Sequence, residues 1–274
     1  MEIVLCNEVL MPLSFAEQCQ FAAALGYDGL EVAPYTLAAD PTTLGNVALQ
    51  AYRRMASDAG VMISGLHWLL VAPAGLSIVA ADPAVRRRTL DAMRRLVEMS
   101  VELGGDVLVH GSPRQRMLGA DAMGDRERAL AYFSLAGDVA ADAGVTYCVE
   151  PLAAAETNFI TTLDEAAALV REVNSPGLKT MLDTSAAANG ERHSVVALLD
   201  EWLPSGLIAH LQLNDRNRRA PGQGEDRFAP ILDALRRHGW DRPVAVEPFI
   251  YEPDGLATAA RGIGYLRGIE EALT

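Results

Sequence analysis

The chain has 274 residues, half of them apolar, and it carries 36 acidic against 23 basic side chains, a net charge of −13. A protein that grips a nucleic-acid backbone needs excess lysine and arginine along one face, so this charge argues against nucleic acid as a partner. No apolar stretch approaches the ~18 residues of a membrane span, and the start lacks the basic segment of a signal peptide. We expect a cytoplasmic protein with a small-molecule partner, and the sequence leaves a homo-oligomer open.

The three cysteines support the same compartment. Cys6, Cys19 and Cys148 are odd in number and lack the spacing of a metal site. Such residues are typical of buried, reduced thiols in a cytosolic protein.

Short apolar runs alternate with amphipathic helical patterns, and we count eight strand–helix units. Helix starts are marked by Ser14 and Thr162, each three residues before a glutamate, and by the pair Asp82-Pro83. The predicted strands are 2–7, 28–32, 61–67, 106–110, 145–150, 178–183, 207–213 and 243–247. This order predicts an α/β fold, a single (β/α)8 TIM-barrel domain over residues 1–274. An open doubly wound sheet is the alternative.

Two of the predicted strands end in the same way, at Glu150-Pro151 and at Glu247-Pro248. The residue before a proline is biased toward extended geometry, and proline has no N–H with which to continue a strand ladder. Each phrase therefore predicts a buried strand whose last side chain is a carboxylate. A buried carboxylate is costly unless a cation or a hydrogen-bond donor meets it.

The carboxyl ends of the strands carry the chemistry of a TIM barrel, and in every predicted strand the last inward position is polar. These positions are Asn7, Glu31, His67, His110, Glu150, Asp183, Gln212 and Glu247. The last four supply three carboxylates and one amide oxygen, a set suited to Mg²⁺ or Mn²⁺ rather than zinc. Alternatively, these side chains are separate helix caps and salt-bridge partners, since Asp183-Thr184-Ser185 alone can be an ordinary cap.

Five phrases in chain order resemble the xylose-isomerase-like superfamily of sugar isomerases and epimerases, in which ketose 3-epimerases and hydroxypyruvate isomerase look closest. The phrases are Val149-Glu150-Pro151-Leu152, Met181-Leu182-Asp183-Thr184, His210-Leu211-Gln212-Leu213-Asn214-Asp215, Pro221-Gly222-Gln223-Gly224-Glu225 and Val246-Glu247-Pro248-Phe249. The resemblance implies one divalent ion, Mn²⁺ or Mg²⁺, held by Glu150, Asp183, Gln212 and Glu247. The epimerases would have histidine at position 212, whereas glutamine is more similar to hydroxypyruvate isomerase and some dehydratases.

The resemblance also implies two substrate contacts. Glu156 matches an acid that touches substrate in the epimerases, although a solvated loop glutamate is the alternative, and Arg218 matches their substrate-binding arginine after strand seven. We expect these two side chains to hold opposite ends of the substrate. Three residues after the metal aspartate, the epimerases place a substrate-binding histidine, but this chain has Ala186, which puts their sugar specificity in doubt.

Two histidines are candidates to replace that missing contact. His67 and His110 end the third and fourth predicted strands, and Trp68 would extend the same wall of the substrate site. The alternative is that each histidine is buried and satisfied by a backbone carbonyl. The substrate-binding residues are thus predicted to be His67, Trp68, His110, Glu156 and Arg218.

The predicted function is that of a metal-dependent isomerase or epimerase that moves a proton next to the carbonyl of a small ketose or hydroxy-keto acid, through an enediolate. Glu150 and Glu247 are the predicted catalytic acid–base pair. One alternative is a dehydratase or lyase acting on a keto-sugar, cyclitol or shikimate-type acid. Another is an endonuclease IV-like enzyme, which needs more histidines than the five present here. The positions that this enzyme would share are His67, His110, Glu150 and Asp183. A non-catalytic sugar-binding protein is the third.

Overall fold

Eight parallel strands form a closed barrel in chain order in the computed structural model, which describes residues 1–11 and 13–273. β1 pairs with β8 as well as with β2, so this part of the chain has no open sheet edge. The strands are β1 (Ile3–Cys6), β2 (Gly29–Val32), β3 (Met62–Leu66), β4 (Val107–His110), β5 (Thr146–Val149), β6 (Leu178–Asp183), β7 (Ile208–Leu213) and β8 (Val244–Val246). The predicted TIM barrel is confirmed, and closure excludes the doubly wound sheet.

Helices follow the strands and pack around the barrel. They are α1 (Phe15–Leu25), α2 (Asn46–Ala59), α3 (Pro83–Leu103), α4 (Ala122–Ala143), α5 (Leu163–Val173), α6 (Thr184–Gly190), α7 (Val195–Trp202), α8 (Ala229–Arg237) and α9 (Gly255–Leu273). Short 3-10 helices cover Asn7–Leu10, Pro34–Thr36, Pro41–Thr43 and Leu203–Ser205. No helix of the described ranges combines the length and the apolar character that crossing a bilayer requires.

The predicted helix starts are observed, with one difference. Ser14 forms a complete capping box with Glu17, and Asp82 caps α3. At α5, Thr162 accepts from the backbone N–H of Glu165, but the carboxylate of Glu165 accepts from the N–H of Thr161 instead of that of Thr162. The second capping box therefore differs in one bond: the glutamate side chain bonds to the backbone one residue before the N-cap residue.

The barrel interior changes from apolar to polar toward the carboxyl ends of the strands. The apolar part is a buried cluster of Val107, Val109, Cys148, Met181 and Ala209. Further along, the fully buried carboxylate of Glu31 lies 2.7 Å from Nε2 of His210. The three cysteines are buried and free, as predicted. That the chain is a single domain stays a prediction.

Candidate active site

Three carboxylates meet where β5, β6 and β8 end. One oxygen from each of Glu150, Asp183 and Glu247 lies within 4.8 Å of the other two, and all three side chains are buried. Burial, followed by neighbouring carboxylates, raises the pKa of Glu150 and of Glu247 well above the usual range. Burial likewise raises the pKa of Asp183 to about 7. Crowded, desolvated carboxylates are stabilised by a cation, so this set fits a divalent metal ion.

Gln212 offers a fourth oxygen. Its Nε2 donates to Oε1 of Glu31 at 2.8 Å, while its buried Oε1 has no hydrogen-bond partner among the described residues. Burial raises the pKa of Glu31, but His210, His67 and Gln212 outweigh this effect and lower it overall. Glu31 is thus an ionised acceptor, which fixes the amide with its nitrogen toward Glu31 and its oxygen free. A free buried amide oxygen suits the predicted metal ligand.

Asp183 is held by two hydrogen bonds that orient its carboxylate. Oδ1 accepts from the backbone N–H of Ala186 at 2.6 Å, so Asp183 caps α6, as the alternative interpretation of this residue required. Oδ2 accepts from Nδ2 of Asn214 at 2.8 Å, and the same amide donates to the backbone carbonyl of Glu247. Asp183 therefore caps α6 and belongs to the carboxylate cluster at the same time. Sequence reasoning gave Asn214 no role, although it directly follows β7, two residues beyond Gln212.

A cavity of about 570 Å³ is lined by the three carboxylates and by the loops that follow the strands. Four of the five predicted substrate-binding residues line it, namely His67, Trp68, Glu156 and Arg218. Ala186 lines it as well, so the position of the missing histidine does face the cavity. A pocket of this volume at the carboxyl end of a TIM barrel is the expected place for a small molecule.

Arg218 and Glu156 lie side by side, because Nη2 of Arg218 is 3.6 Å from Oε1 of Glu156. The expectation that they hold opposite ends of a substrate is therefore wrong: attraction brings the two long side chains together. The guanidinium of Arg218 also stacks over Phe249, 4.6 Å from the ring centroid. Its backbone is left-handed, with φ of 67°, and its carbonyl accepts from the N–H groups of Phe249 and Ile250. Such a fixed, unusual conformation is typical of a ligand-binding position.

His110 does not reach the cavity, which corrects its predicted substrate-binding role. Val109 and Gly111 line the cavity, so the intervening side chain of β4 points outward. Nδ1 of His110 lies 2.8 Å from the hydroxyl of Tyr147, and its ring packs edge-on against Tyr132 of α4. Burial, with a smaller effect of Arg116, lowers the pKa of His110 to about 3. His110 is a neutral packing residue between the barrel and α4.

Asn7 was predicted at the rim of the barrel, but the rim residue is its neighbour Glu8. Sγ of Cys6 lies 3.8 Å from Oε1 of Glu31 inside the barrel, so Asn7 falls on the outer side. There it bonds to Gln18 of α1. Glu8 lies 2.9 Å from Nε2 of His67, and together with Glu31 it raises the pKa of His67 despite the opposing effect of burial.

Arg116 is a buried cation that sequence reasoning missed. It lies in the loop after β4, is fully buried, and donates from Nη1 to the backbone carbonyl of His110 at 3.4 Å. Its Nε and Nη2 have no hydrogen-bond partner among the described residues. Burial lowers the pKa of Arg116 to about 10, opposed by Glu150 and Glu156. It partly offsets the negative charge of the cluster, and nothing in its loop sequence marks it as buried.

The family model described as xylose isomerase-like TIM barrel matches residues 19–269, so the chain belongs to this family, as its motifs indicated. The chain is 28% identical to D-psicose 3-epimerase of Ruminiclostridium cellulolyticum over 232 residues, which cover 83% of this chain and 76% of that protein. It is 27% identical to L-ribulose 3-epimerase of a Methylomonas species, over 84% of this chain and 77% of that one.

Solved structures share the fold. D-psicose 3-epimerase with D-tagatose, from Clostridium cellulolyticum, superposes with a TM-score of 0.84 at 21% identity, over 98% of this chain and 99% of that one. The 3-keto-D-glucoside 4-epimerase of E. coli superposes with a TM-score of 0.82 at 20% identity, over the same shares of the two chains.

Proposed function

We propose that this protein is a sugar epimerase or isomerase that depends on a divalent metal ion and moves a proton next to the carbonyl of a small ketose. The observation that carries the proposal is the buried cluster of Glu150, Asp183 and Glu247, which lines the cavity. The orphaned oxygen of Gln212 completes a set of hard oxygen ligands for Mn²⁺ or Mg²⁺. The 3-epimerases among the relatives favour epimerisation over isomerisation.

The reaction needs a base and an acid on the two sides of one carbon. When bound, the divalent ion supplies positive charge that acidifies the carbon next to the carbonyl. Glu150 and Glu247 directly follow strands β5 and β8, which are separated by two others, so their carboxylates approach the cavity from different directions. One removes the proton and the other returns one to the opposite face, which inverts the carbon through an enediolate. Asn214 keeps Asp183 in place as a ligand.

The walls of the cavity select the substrate. Glu156 and Arg218, paired at 3.6 Å, are assigned to neighbouring groups of the sugar, with the acid accepting and the cation donating hydrogen bonds. Trp68 and Phe249 pack edge-to-face with ring centroids 6.2 Å apart and form an apolar wall. Ala186 leaves room where the epimerases have a histidine, so the substrate is expected to carry a bulkier or less polar group there.

Solvent deuterium exchange tests this function. Metal-loaded protein is incubated in D₂O with free ketoses, including psicose, tagatose and ribulose, and with a 3-keto-glucoside, and NMR follows the carbon next to the carbonyl. We expect deuterium at that carbon with inversion of its configuration, and neither after removal of metal by a chelator. Exchange followed by loss of water or of a leaving group would identify a dehydratase or lyase instead. Absence of deuterium exchange with every sugar, at saturating metal, would contradict an enzyme of this class.

The endonuclease alternative loses support from the geometry. It rested partly on His110 as a shared metal-binding position, and His110 faces α4 rather than the carboxylate cluster. The three carboxylates and Gln212 are an oxygen set, whereas zinc clusters draw on histidine nitrogen. Together with the charge of −13, this favours a small sugar over a nucleic-acid substrate.

Replacing Arg218 by alanine is expected to raise KM by roughly tenfold, the effect of losing one charged hydrogen bond to the substrate. Metal affinity should stay unchanged, because Arg218 pairs with Glu156 and stacks on Phe249 rather than touching the carboxylate cluster. Steady-state kinetics and metal titration measure the two effects. Arg219→Ala is the matched control, because Arg219 pairs with Glu252 and does not line the cavity. Unchanged kinetics in Arg218→Ala, or loss of its metal, would refute the assignment.

A further inference from the structure

A second group of ligand-type side chains lies beside the carboxylate cluster. Cys6, Glu8, His67 and Glu247 each place one sulfur, oxygen or nitrogen atom within 4.8 Å of the other three, and all four side chains are buried. Nε2 of His67 is 2.9 Å from Oε2 of Glu8 and 3.9 Å from Oε1 of Glu247. These residues come from the end of β1, the 3-10 helix after it, and the residues that follow β3 and β8.

The second nitrogen of His67 faces a different partner. Nδ1 lies 3.6 Å from Oε1 of Glu31, on the side of the ring away from Glu8, and has no hydrogen-bond partner among the described residues. Glu31 is in turn fixed by Gln212 and by His210, at 2.8 and 2.7 Å. In metalloproteins a ligating histidine usually directs its other ring nitrogen to a carboxylate, which sets the tautomer and the direction of the metal-binding nitrogen. At His67 the nearby carboxylate is that of Glu31, which acts on the ring through its charge rather than through a hydrogen bond, while Nε2 is directed at the other three groups.

The charges around this group also leave room for a cation. Five buried carboxylates, Glu8, Glu31, Glu150, Asp183 and Glu247, are close to the end of the barrel. A single divalent ion at the oxygen-only cluster offsets two of these negative charges. The positive groups that remain are the histidines, which are neutral when they ligate a metal, and the buried Arg116.

We propose that Cys6, Glu8, His67 and Glu247 form a second metal site, distinct in chemistry from the first and suited to Zn²⁺. A thiolate, an imidazole and two carboxylates are a tetrahedral, zinc-type set, whereas the first cluster contains oxygen alone. Glu247 belongs to both groups, so its carboxylate would serve as a ligand in each site. The second ion would link the end of β1 and the 3-10 helix after it to the residue that follows β3. This inference goes beyond the proposed function, because it concerns metal content and not turnover.

Cobalt titration of the whole metal-free protein tests the site. Co²⁺ occupies both zinc-type and oxygen-type sites, and a thiolate ligand adds a sulfur-to-cobalt absorption band in the near ultraviolet. We expect the protein to bind two equivalents of Co²⁺, and the sulfur-to-cobalt band should appear as one of the two equivalents binds. In Cys6→Ser the band should disappear and the corresponding equivalent should bind at least roughly tenfold more weakly, since even outer contacts of a metal site change affinity by this much. Cys19→Ser is the control, because Cys19 is an equally buried thiol in α1.

The outcomes separate the second site from the proposed function. One equivalent of cobalt without the sulfur band in the wild-type protein would overturn the second site and leave the oxygen-only site standing. A band that survives in Cys6→Ser would also overturn it. Binding of no cobalt at all would contradict both sites. The wild-type stoichiometry and spectrum decide the question even if Cys6→Ser fails to fold. Glu8→Ala, which removes the ligand oxygen and should lose the second equivalent, supplies an independent variant.

Discussion

Replacing Glu150 or Glu247 by glutamine is expected to lower turnover by roughly 10²-fold or more, the loss that follows removal of a general base or acid. An amide oxygen can still ligate a metal ion, but it cannot accept the proton. Both side chains are buried, and glutamine fills nearly the same volume, so the fold should persist. Turnover is measured with saturating Mn²⁺, so that weaker metal binding does not account for the loss.

The metal-free variants provide a second readout. Burial and neighbouring carboxylates raise the pKa of Glu150 and Glu247 in the folded protein, so their ionised forms destabilise it at high pH. Each glutamine variant without metal should therefore melt above the metal-free wild type at pH 8. This difference in melting temperature should shrink as the pH falls through the raised pKa values of the folded protein, because the wild-type carboxyl groups then take up protons. Glu225→Gln, an exposed loop substitution, is the control, and near-wild-type turnover in either site variant would show that the pair is structural.

The barrel could be predicted because its signals are local. Alternating apolar runs and helix patterns, with caps such as Ser14 and Asp82, determine the order and type of the elements. The carboxylate cluster was predictable for the same reason, since Glu150, Asp183 and Glu247 each lie at or just after a strand end. A parallel barrel brings such ends together whatever the loops do.

The side on which a strand's last residue points was harder to predict. Strands of a parallel barrel are buried on both faces, so hydrophobicity does not distinguish inward from outward positions. The predicted inward-facing position was wrong by one residue at Asn7 and at His110. In both cases it is the neighbouring residue that faces the barrel interior. A polar residue at a strand end is compatible with either direction, because a histidine that points outward can be buried and hydrogen-bonded, as His110 is to Tyr147.

Loop residues were the least accessible to sequence reasoning. From the sequence, Arg116 resembles one of many surface arginines, yet the fold of its loop buries it completely. The pairing of Glu156 with Arg218 joins residues from loops after different strands. Both features depend on the path of irregular backbone, which no periodic pattern specifies.

Gly111 allows the carboxylate of Glu150 to lie directly against the backbone after β4. A Cβ at position 111 would overlap Oε2 of Glu150 and lie 2.9 Å from its Cδ. The backbone of Gly111 is not in the left-handed region, so alanine is tolerated there and the conflict falls on the end of one side chain. Gly111→Ala should therefore leave the fold intact and displace a carboxylate that serves both metal and substrate.

We expect Gly111→Ala to lower turnover by roughly 10²-fold, the cost of a displacement of about 1 Å at a reacting group, and to weaken metal binding at the same time. Metal titration and steady-state kinetics, with circular dichroism as the check on folding, measure both effects. Gly264→Ala in α9 is the matched control, since a Cβ there meets no atom within 4 Å. The control should keep full activity and metal affinity. If Gly111→Ala behaves like the control, the carboxylate of Glu150 has room to move without consequence, and its assigned place in the site is wrong.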